Sequence, residues 1–188
     1  MLDKIQVRLD SWFVRHAQGL ARFLAVVTGL IWGIDGGLKF SPGLVAAFPS
    51  MVQDAAQGQP AWLQGWFHFW YLQVSADPAL LVYLVGTLEL ALSVALLLGF
   101  LRKFAYTGGI ALSLVIWAVP EGFGGPYGPT STDVGTGIVY ALLFVAFIVI
   151  DATFGRGPYT LDGWIIRKFP GWGRISDIRH YPERPPAD

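Results

Sequence analysis

Apolar residues are gathered into four long blocks, at residues 20–39, 79–101, 104–120 and 134–151. A helix needs about 20 apolar residues to cross the hydrocarbon core of a bilayer, and about 17 is the lower limit. Two blocks reach that length and two stand near the limit. The pattern therefore predicts an all-α integral membrane protein with a four-helix transmembrane bundle over residues 20–153.

Basic residues predict how the blocks are oriented. All but one of the 13 lysines and arginines lie before or at the start of the first block, between the second and third, or after the fourth; the exception is Lys39. Because basic residues favour the cytoplasmic side of a membrane, both termini are predicted there. The chain is then a multi-pass protein of the cell inner membrane, and residues 154–188 form a cytoplasmic tail.

Small residues recur at four-residue spacing in every block, which predicts close helix packing. They are Gly29, Gly33 and Gly37; Ala91, Ala95 and Gly99; Ala105, Gly109 and Ser113; and Gly137 with Ala141. In the second block, Gly86, Glu89 and Ser93 lie about half a turn from the small residues. That face is predicted to form a separate polar interior.

Amphipathic segments flank the bundle. Residues 1–19 predict an inner interfacial helix, and residues 161–169 resemble it. The outer loop, residues 40–78, contains a predicted interfacial helix at 60–74, because Trp62, Trp66, Trp70 and Val74 recur every four residues. This helix either anchors the bundle by packing or forms an aromatic lid over a flat, apolar ligand such as a quinone.

Composition agrees with a membrane protein and narrows its chemistry. Hydrophobic residues make up 54% of the chain and charged residues 14%, whereas soluble proteins are about 25% charged. A net charge of zero gives no electrostatic basis for a nucleic-acid partner. With no cysteine and three scattered histidines, we expect no metal, haem or iron–sulfur site, and no motif indicates a flavin.

Three charged residues within or beside the blocks are candidate catalytic groups: Asp35, Lys39 and Glu89. Glu89 falls at mid-membrane depth, where a charge is costly. It is either a protonated side chain bonded to a neighbouring helix, or a proton relay or ligand contact. Asp35 and Lys39 stand four residues apart and can form a local ion pair. Alternatively, Lys39 is a fixed cation for an anionic ligand or a buried carboxylate.

The loop after the third block supplies candidate ligand-binding residues. Glu121, Tyr127 and Asp133 can converge at the outer mouth of the bundle, although Asp133 can also simply cap the fourth helix. Trp70, Trp117 and Tyr127 could line an apolar site there.

Three segments together resemble the DoxX/DoxD family. They are DGGLKF at residues 35–40, Glu89 followed by an apolar run to LGF at 98–100, and WAVPEGFGGPY at 117–127 continuing to TDVGTG at 132–137. The resemblance covers roughly residues 20–153. DoxD is known as the small membrane subunit of thiosulfate:quinone oxidoreductase, and other members are described as partners in membrane redox-defence assemblies.

The resemblance implies a membrane subunit of a quinone-linked oxidoreductase, with quinone as cofactor. Lys39 would attract an anionic substrate, and Glu89 or Asp35 would handle protons. One alternative is a non-catalytic accessory subunit that anchors a respiratory complex, with membrane or periplasmic partner subunits or further copies of the chain. Another is a small-solute transporter with a water-filled path past Glu89. The oxidoreductase predicts a cavity reaching the outer mouth.

Overall fold

The computed structural model describes residues 2–127 and 133–178, with side chains described from residue 11 onward. Every regular element in these ranges is a helix, so the all-α prediction is confirmed. The helices are α1 (Leu2–Leu38), α2 (Pro42–Ala56), α3 (Gln64–Ala76), α4 (Pro78–Leu98), α5 (Arg102–Ala118), α6 (Thr136–Phe154), α7 (Leu161–Lys168) and α8 (Gly173–Ser176). One-turn 3₁₀ helices lie at Ala61–Leu63, Gly122–Gly124 and Pro170–Trp172.

Within the described ranges, three helices are long and apolar enough to cross a membrane. They are Ser11–Leu38 within α1, Pro78–Leu98 and Thr136–Phe154. About two thirds or more of each apolar window points away from the rest of the protein, as contact with a lipid bilayer requires. The helix predicted as the third span, α5, has 17 residues and is shorter than these three.

The long helices form two antiparallel pairs. α1 packs along α4, and α5 packs along α6. One end of the bundle contains Lys39 and the other contains Arg102, and we call them the Lys39 end and the Arg102 end. α2 and α3 lie at the Lys39 end, whereas α7 and α8 lie at the Arg102 end.

Glycines bring α1 and α4 into close contact. A Cβ atom at Gly36 would lie 3.1 Å from the Gly86 carbonyl oxygen, and one at Gly33 would lie 2.8 Å from Ser93 Oγ. Ser93 Oγ in turn donates a 2.6 Å hydrogen bond to the Gly29 carbonyl. The predicted packing role of Gly29 and Gly33 is confirmed.

Two details of that packing prediction are wrong. The third glycine of the contact is Gly36, because a Cβ at Gly37 would meet nothing within 4 Å. On α4, the face that meets α1 carries Gly86, Glu89 and Ser93, whereas Ala91 is exposed. The polar face is therefore itself the packing face, since a glycine-lined partner leaves room for its side chains and offers carbonyl acceptors.

The contact between α5 and α6 follows the prediction. Ala105, Gly109 and Ser113 of α5 are buried, as are Gly137 and Ala141 of α6. The ring of Phe144 lies over Gly109, where an added Cβ would come within 2.6 Å of it. Small residues thus form both sides of this helix pair.

Helix boundaries differ from the sequence pattern at three places. No proline interrupts residues 2–38, and α1 is one continuous helix rather than an interfacial helix followed by a span. Residues 40–78 contain two helices, α2 and α3; Ser41 caps the N-terminus of α2 and Pro42 occupies its first turn. In the tail, α7 and α8 are described, and residues 179–188 lie outside the described residues.

Leucine at Gly36 tests the close contact of α1 with α4. Gly36→Leu should lower the free energy of unfolding by about 1–3 kcal/mol, as overpacking does. Gly37→Leu is the matched control, since a leucine side chain there enters open space while the substitution raises helix propensity by the same amount. Thermal unfolding in detergent measures both variants. Equal melting temperatures for the two would contradict the contact.

Candidate functional site

A cavity of about 540 Å³ lies at the Lys39 end, between the two helix pairs and beneath α2 and α3. Small-molecule sites typically enclose about 300–1,000 Å³. Its walls are mainly apolar, with aromatic surface from Trp32, Trp70 and Tyr140. Leu44, Phe48 and Met51 of α2 line the side nearest the bundle end, so helices rather than an open mouth cover that side.

Three polar atoms of cavity-lining residues have no hydrogen-bond partner among the described residues. They are Trp32 Nε1, Trp70 Nε1 and Ser113 Oγ, and all three are buried. An indole N–H can only donate, and a hydroxyl can donate or accept. Leaving such a group unpaired costs about 1–3 kcal/mol. The residues that line the cavity therefore include three with unsatisfied donors, which suits a ligand that carries acceptors.

A charged trio stands beside this cavity. Lys39 Nζ lies 2.9 Å from Asp35 Oδ2 and 3.4 Å from Glu89 Oε2. Asp35 and Lys39 line the cavity, while Glu89 is fully buried behind Lys39 at the contact of α1 with α4. The three predicted catalytic residues are thus brought together. Since two carboxylates share one ammonium group, Lys39 is not a free cation for an anionic ligand.

Two of the predicted binding residues also line the cavity. Trp70 contributes aromatic wall, and Glu121, in the loop after α5, lies beside the N-terminus of α6. Glu121 Oε2 accepts a 2.9 Å hydrogen bond from the Gly137 N–H, and its Oε1 accepts one from the Thr136 hydroxyl. A carboxylate is well placed there, because the N-terminus of a helix is its positive end. Glu121 therefore helps to begin α6.

The remaining predicted residues lie outside the cavity lining and hold the loop. Trp117 Nε1 donates to the Val134 carbonyl at 2.8 Å. Tyr127 is exposed and its hydroxyl donates to the Phe123 carbonyl. Asp133 Oδ1 accepts from the Gly135 N–H at 2.8 Å, in a local turn. These three fix the connection between α5 and α6.

Sequence reasoning missed two residues of the cavity. Ser113 was assigned to packing alone, although it is among the cavity-lining residues and its buried hydroxyl has no hydrogen-bond partner among the described residues. Trp32 was not selected, although it lies one helical turn before Asp35 and shares its face of α1. Tyr140 packs edge-on against the Trp32 ring, with centroids 5.6 Å apart.

A second polar cluster closes the Arg102 end. The buried guanidinium of Arg102 pairs with three carboxylates, those of Asp151, Asp162 and Asp177. Asp162 also accepts hydrogen bonds from the Leu101 N–H at 3.0 Å and from Trp172 Nε1 at 2.9 Å. In the sequence, Arg102 served only to predict the membrane orientation. Nothing in the sequence pattern indicates that three carboxylates converge on it.

This cluster holds the tail helices on the bundle. Arg102 begins α5, Asp151 belongs to α6, Asp162 to α7, and Asp177 follows α8. Arg156 adds a 3.1 Å ion pair to Asp177. Because every carboxylate here has a cationic partner, the cluster is suited to fastening four helices together.

No protein-family model, curated protein or solved structure matches this chain. The described residues define an α-helical protein of membrane character with an apolar cavity, whose lining residues include three unpaired donors, beside a charged trio. Its function has to be inferred from that chemistry.

Replacement of Lys39 tests the charged trio. Lys39→Met should destabilise the protein by about 3–5 kcal/mol, because it leaves Glu89 buried without its counterion. Adding Glu89→Gln should recover much of the lost stability. Asp35→Asn alone, at a half-exposed residue, should lower stability only a little. Denaturant titration in detergent measures the set. Strictly additive losses in the double variant would contradict a Lys39–Glu89 interaction.

Replacement of Arg102 tests the tail cluster. Arg102→Met should free α7 and α8 from the bundle and expose the chain after residue 154 to protease. Lys103→Met is the control, since Lys103 is the adjacent but exposed basic residue. Limited proteolysis with mass spectrometry follows the cleavage sites. Equal cleavage of both variants would show that Arg102 does not secure the tail.

Proposed function

We propose that this chain is a membrane subunit of a quinone-linked oxidoreductase and that its cavity binds the quinone ring. The observation that carries the proposal is the set of three unpaired donors in an apolar cavity. A quinone is a flat apolar ring whose carbonyl oxygens accept hydrogen bonds, so the residues present fit it. Trp32, Trp70 and Ser113 would hold the carbonyl oxygens and complete their own hydrogen bonds.

A quinone bound here would supply a two-electron, two-proton acceptor. The charged trio would keep a proton at the cavity wall, on Lys39 Nζ. Asp35 is half exposed and would connect that proton to the surroundings. Glu89, which is sealed from solvent, would keep Lys39 protonated and in place. In this account Asp35 and Lys39 serve proton handling rather than capture of an anion.

The helix arrangement supports four membrane crossings in this proposal. α5 lies beside α6 from the Arg102–Asp151 ion pair at one end to the Trp117–Gly137 contact at the other. Because α6 is long enough to span, its neighbour α5 would cross the same depth. Among described basic side chains, Lys39 alone is at its end, so the Arg102 end and both termini would be cytoplasmic.

The DoxX/DoxD resemblance points the same way, toward a small membrane subunit that works with partners. The chain contains no cysteine, so any thiol chemistry of a thiosulfate-type donor would belong to a partner subunit. A transporter is less well supported, because Glu89 is fully buried and is not among the residues that line the cavity.

Purification in mild detergent tests this function. The protein should retain quinone, detected by solvent extraction and chromatography, and mass spectrometry should identify co-purifying redox subunits. If partner subunits co-purify but the protein neither retains quinone nor binds added quinone, the accessory-subunit alternative would be favoured instead.

Two buried serines form a matched pair for measuring affinity. Ser113→Ala removes an unpaired donor, so it should weaken quinone binding about 5- to 10-fold, the value of one hydrogen bond, and leave stability unchanged. Ser93→Ala removes the bond to the Gly29 carbonyl, so it should lower stability and leave affinity unchanged. Titration of a soluble quinone analogue measures both. The reverse pattern would exclude Ser113 from the site.

A further inference from the structure

Part of the cavity wall is at the same time part of the protein surface. Ile31, Ile34 and Leu38 of α1 line the cavity and are 44%, 69% and 60% exposed. Val115 of α5 lines it from the other side and is 46% exposed. The cavity therefore opens sideways onto the exposed apolar surfaces of α1 and α5.

These exposed residues lie away from the main helix contacts. α1 packs mainly on α4, and α5 packs mainly on α6. Spacings of three and four residues put Ile31, Ile34 and Leu38 on one face of α1. Apolar side chains thus form both sides of the opening.

The surroundings of the opening are apolar as well. Ile31, Ile34 and Leu38 belong to a candidate membrane span, and an exposed apolar side chain in such a span faces lipid chains rather than water. Meanwhile α2 and α3 cover the cavity toward the Lys39 end, through Phe48, Met51 and Trp70. An apolar molecule in the bilayer therefore reaches the cavity more directly than a molecule that arrives from the Lys39 end.

We propose that the ligand enters laterally from the bilayer, past the exposed cavity-lining residues of α1 and α5, and leaves a long apolar tail against them. This inference rests on the proposed quinone site. It specifies a lipid-borne ligand with a compact head that carries acceptors and an extended hydrocarbon tail. The head would lie against Trp32 and Ser113, and the tail would lie along Ile34 and Val115.

Large side chains in the opening test the proposal. Ile34→Trp and Val115→Trp, each tested alone in phosphatidylcholine nanodiscs, should weaken binding of a decyl-tailed benzoquinone about tenfold, equivalent to about 1.4 kcal/mol. Binding of the same ring without a tail should change little. The control is Leu142→Trp, at a residue of α6 that is 63% exposed and is not among the cavity-lining residues. Bound quinone is quantified by extraction after gel filtration, with melting temperatures confirming folding.

The outcomes separate the two proposals. If the wild-type protein binds the ring but both tryptophans leave the tailed form unaffected, or Leu142→Trp weakens it equally, lateral access is overturned and the quinone site stands. If Ile34→Trp and Val115→Trp weaken binding of the tailed and the tailless quinone equally, lateral access is also overturned. If the wild-type protein binds neither ligand, the quinone site itself fails, and lateral access fails with it.

Discussion

The close contact of α1 with α4 determines where the candidate chemistry of this protein lies. Gly36 and Gly86 let the two backbones approach so closely that an added Cβ at either would collide with the other helix. Glu89 lies at this contact with no solvent exposure. A carboxylate in such a place requires a partner, and Lys39, at the end of α1, comes within 3.4 Å of it. The same geometry holds Lys39 and Asp35 at the cavity wall.

The two polar regions of the bundle differ in how completely their groups are paired. At the Arg102 end, one guanidinium and three carboxylates satisfy each other and join α5, α6, α7 and the segment after α8. At the Lys39 end, Trp32, Trp70 and Ser113 leave donors without partners around a cavity of about 540 Å³. Full pairing is what structural fastening requires, whereas unpaired donors around a cavity are what a ligand site requires.

Much of the helical architecture could be predicted, because apolar block length and small-residue spacing are local properties of the chain. The buried faces of α5 and α6 followed from Ala105, Gly109 and Gly137 in this way. The choice between Gly36 and Gly37 could not be made, since 3.6 residues per turn allow both three- and four-residue spacing. The prediction of a separate polar interior around Glu89 failed because it assumed that polar and packing faces must differ.

The site could be predicted only in part. Asp35 and Lys39 are neighbours along one helix, so their pairing is encoded locally, and Glu89 was conspicuous as a charge within an apolar block. Trp32 and Ser113 gave no such signal, because an unpaired donor is defined by what surrounds it in three dimensions. Trp117, Tyr127 and Asp133 have the residue types of a binding site, yet backbone groups of their own loop occupy their hydrogen bonds.

Photoaffinity labelling tests the central claim most directly. A quinone with a photoreactive group on its ring, added to the protein in nanodiscs and crosslinked by light, should label peptides containing Trp32, Trp70 or Ser113. Excess unlabelled quinone should prevent that labelling. Labelling confined to lipid-facing residues such as Val139 and Leu142, or labelling that excess quinone does not reduce, would contradict a quinone site in the cavity.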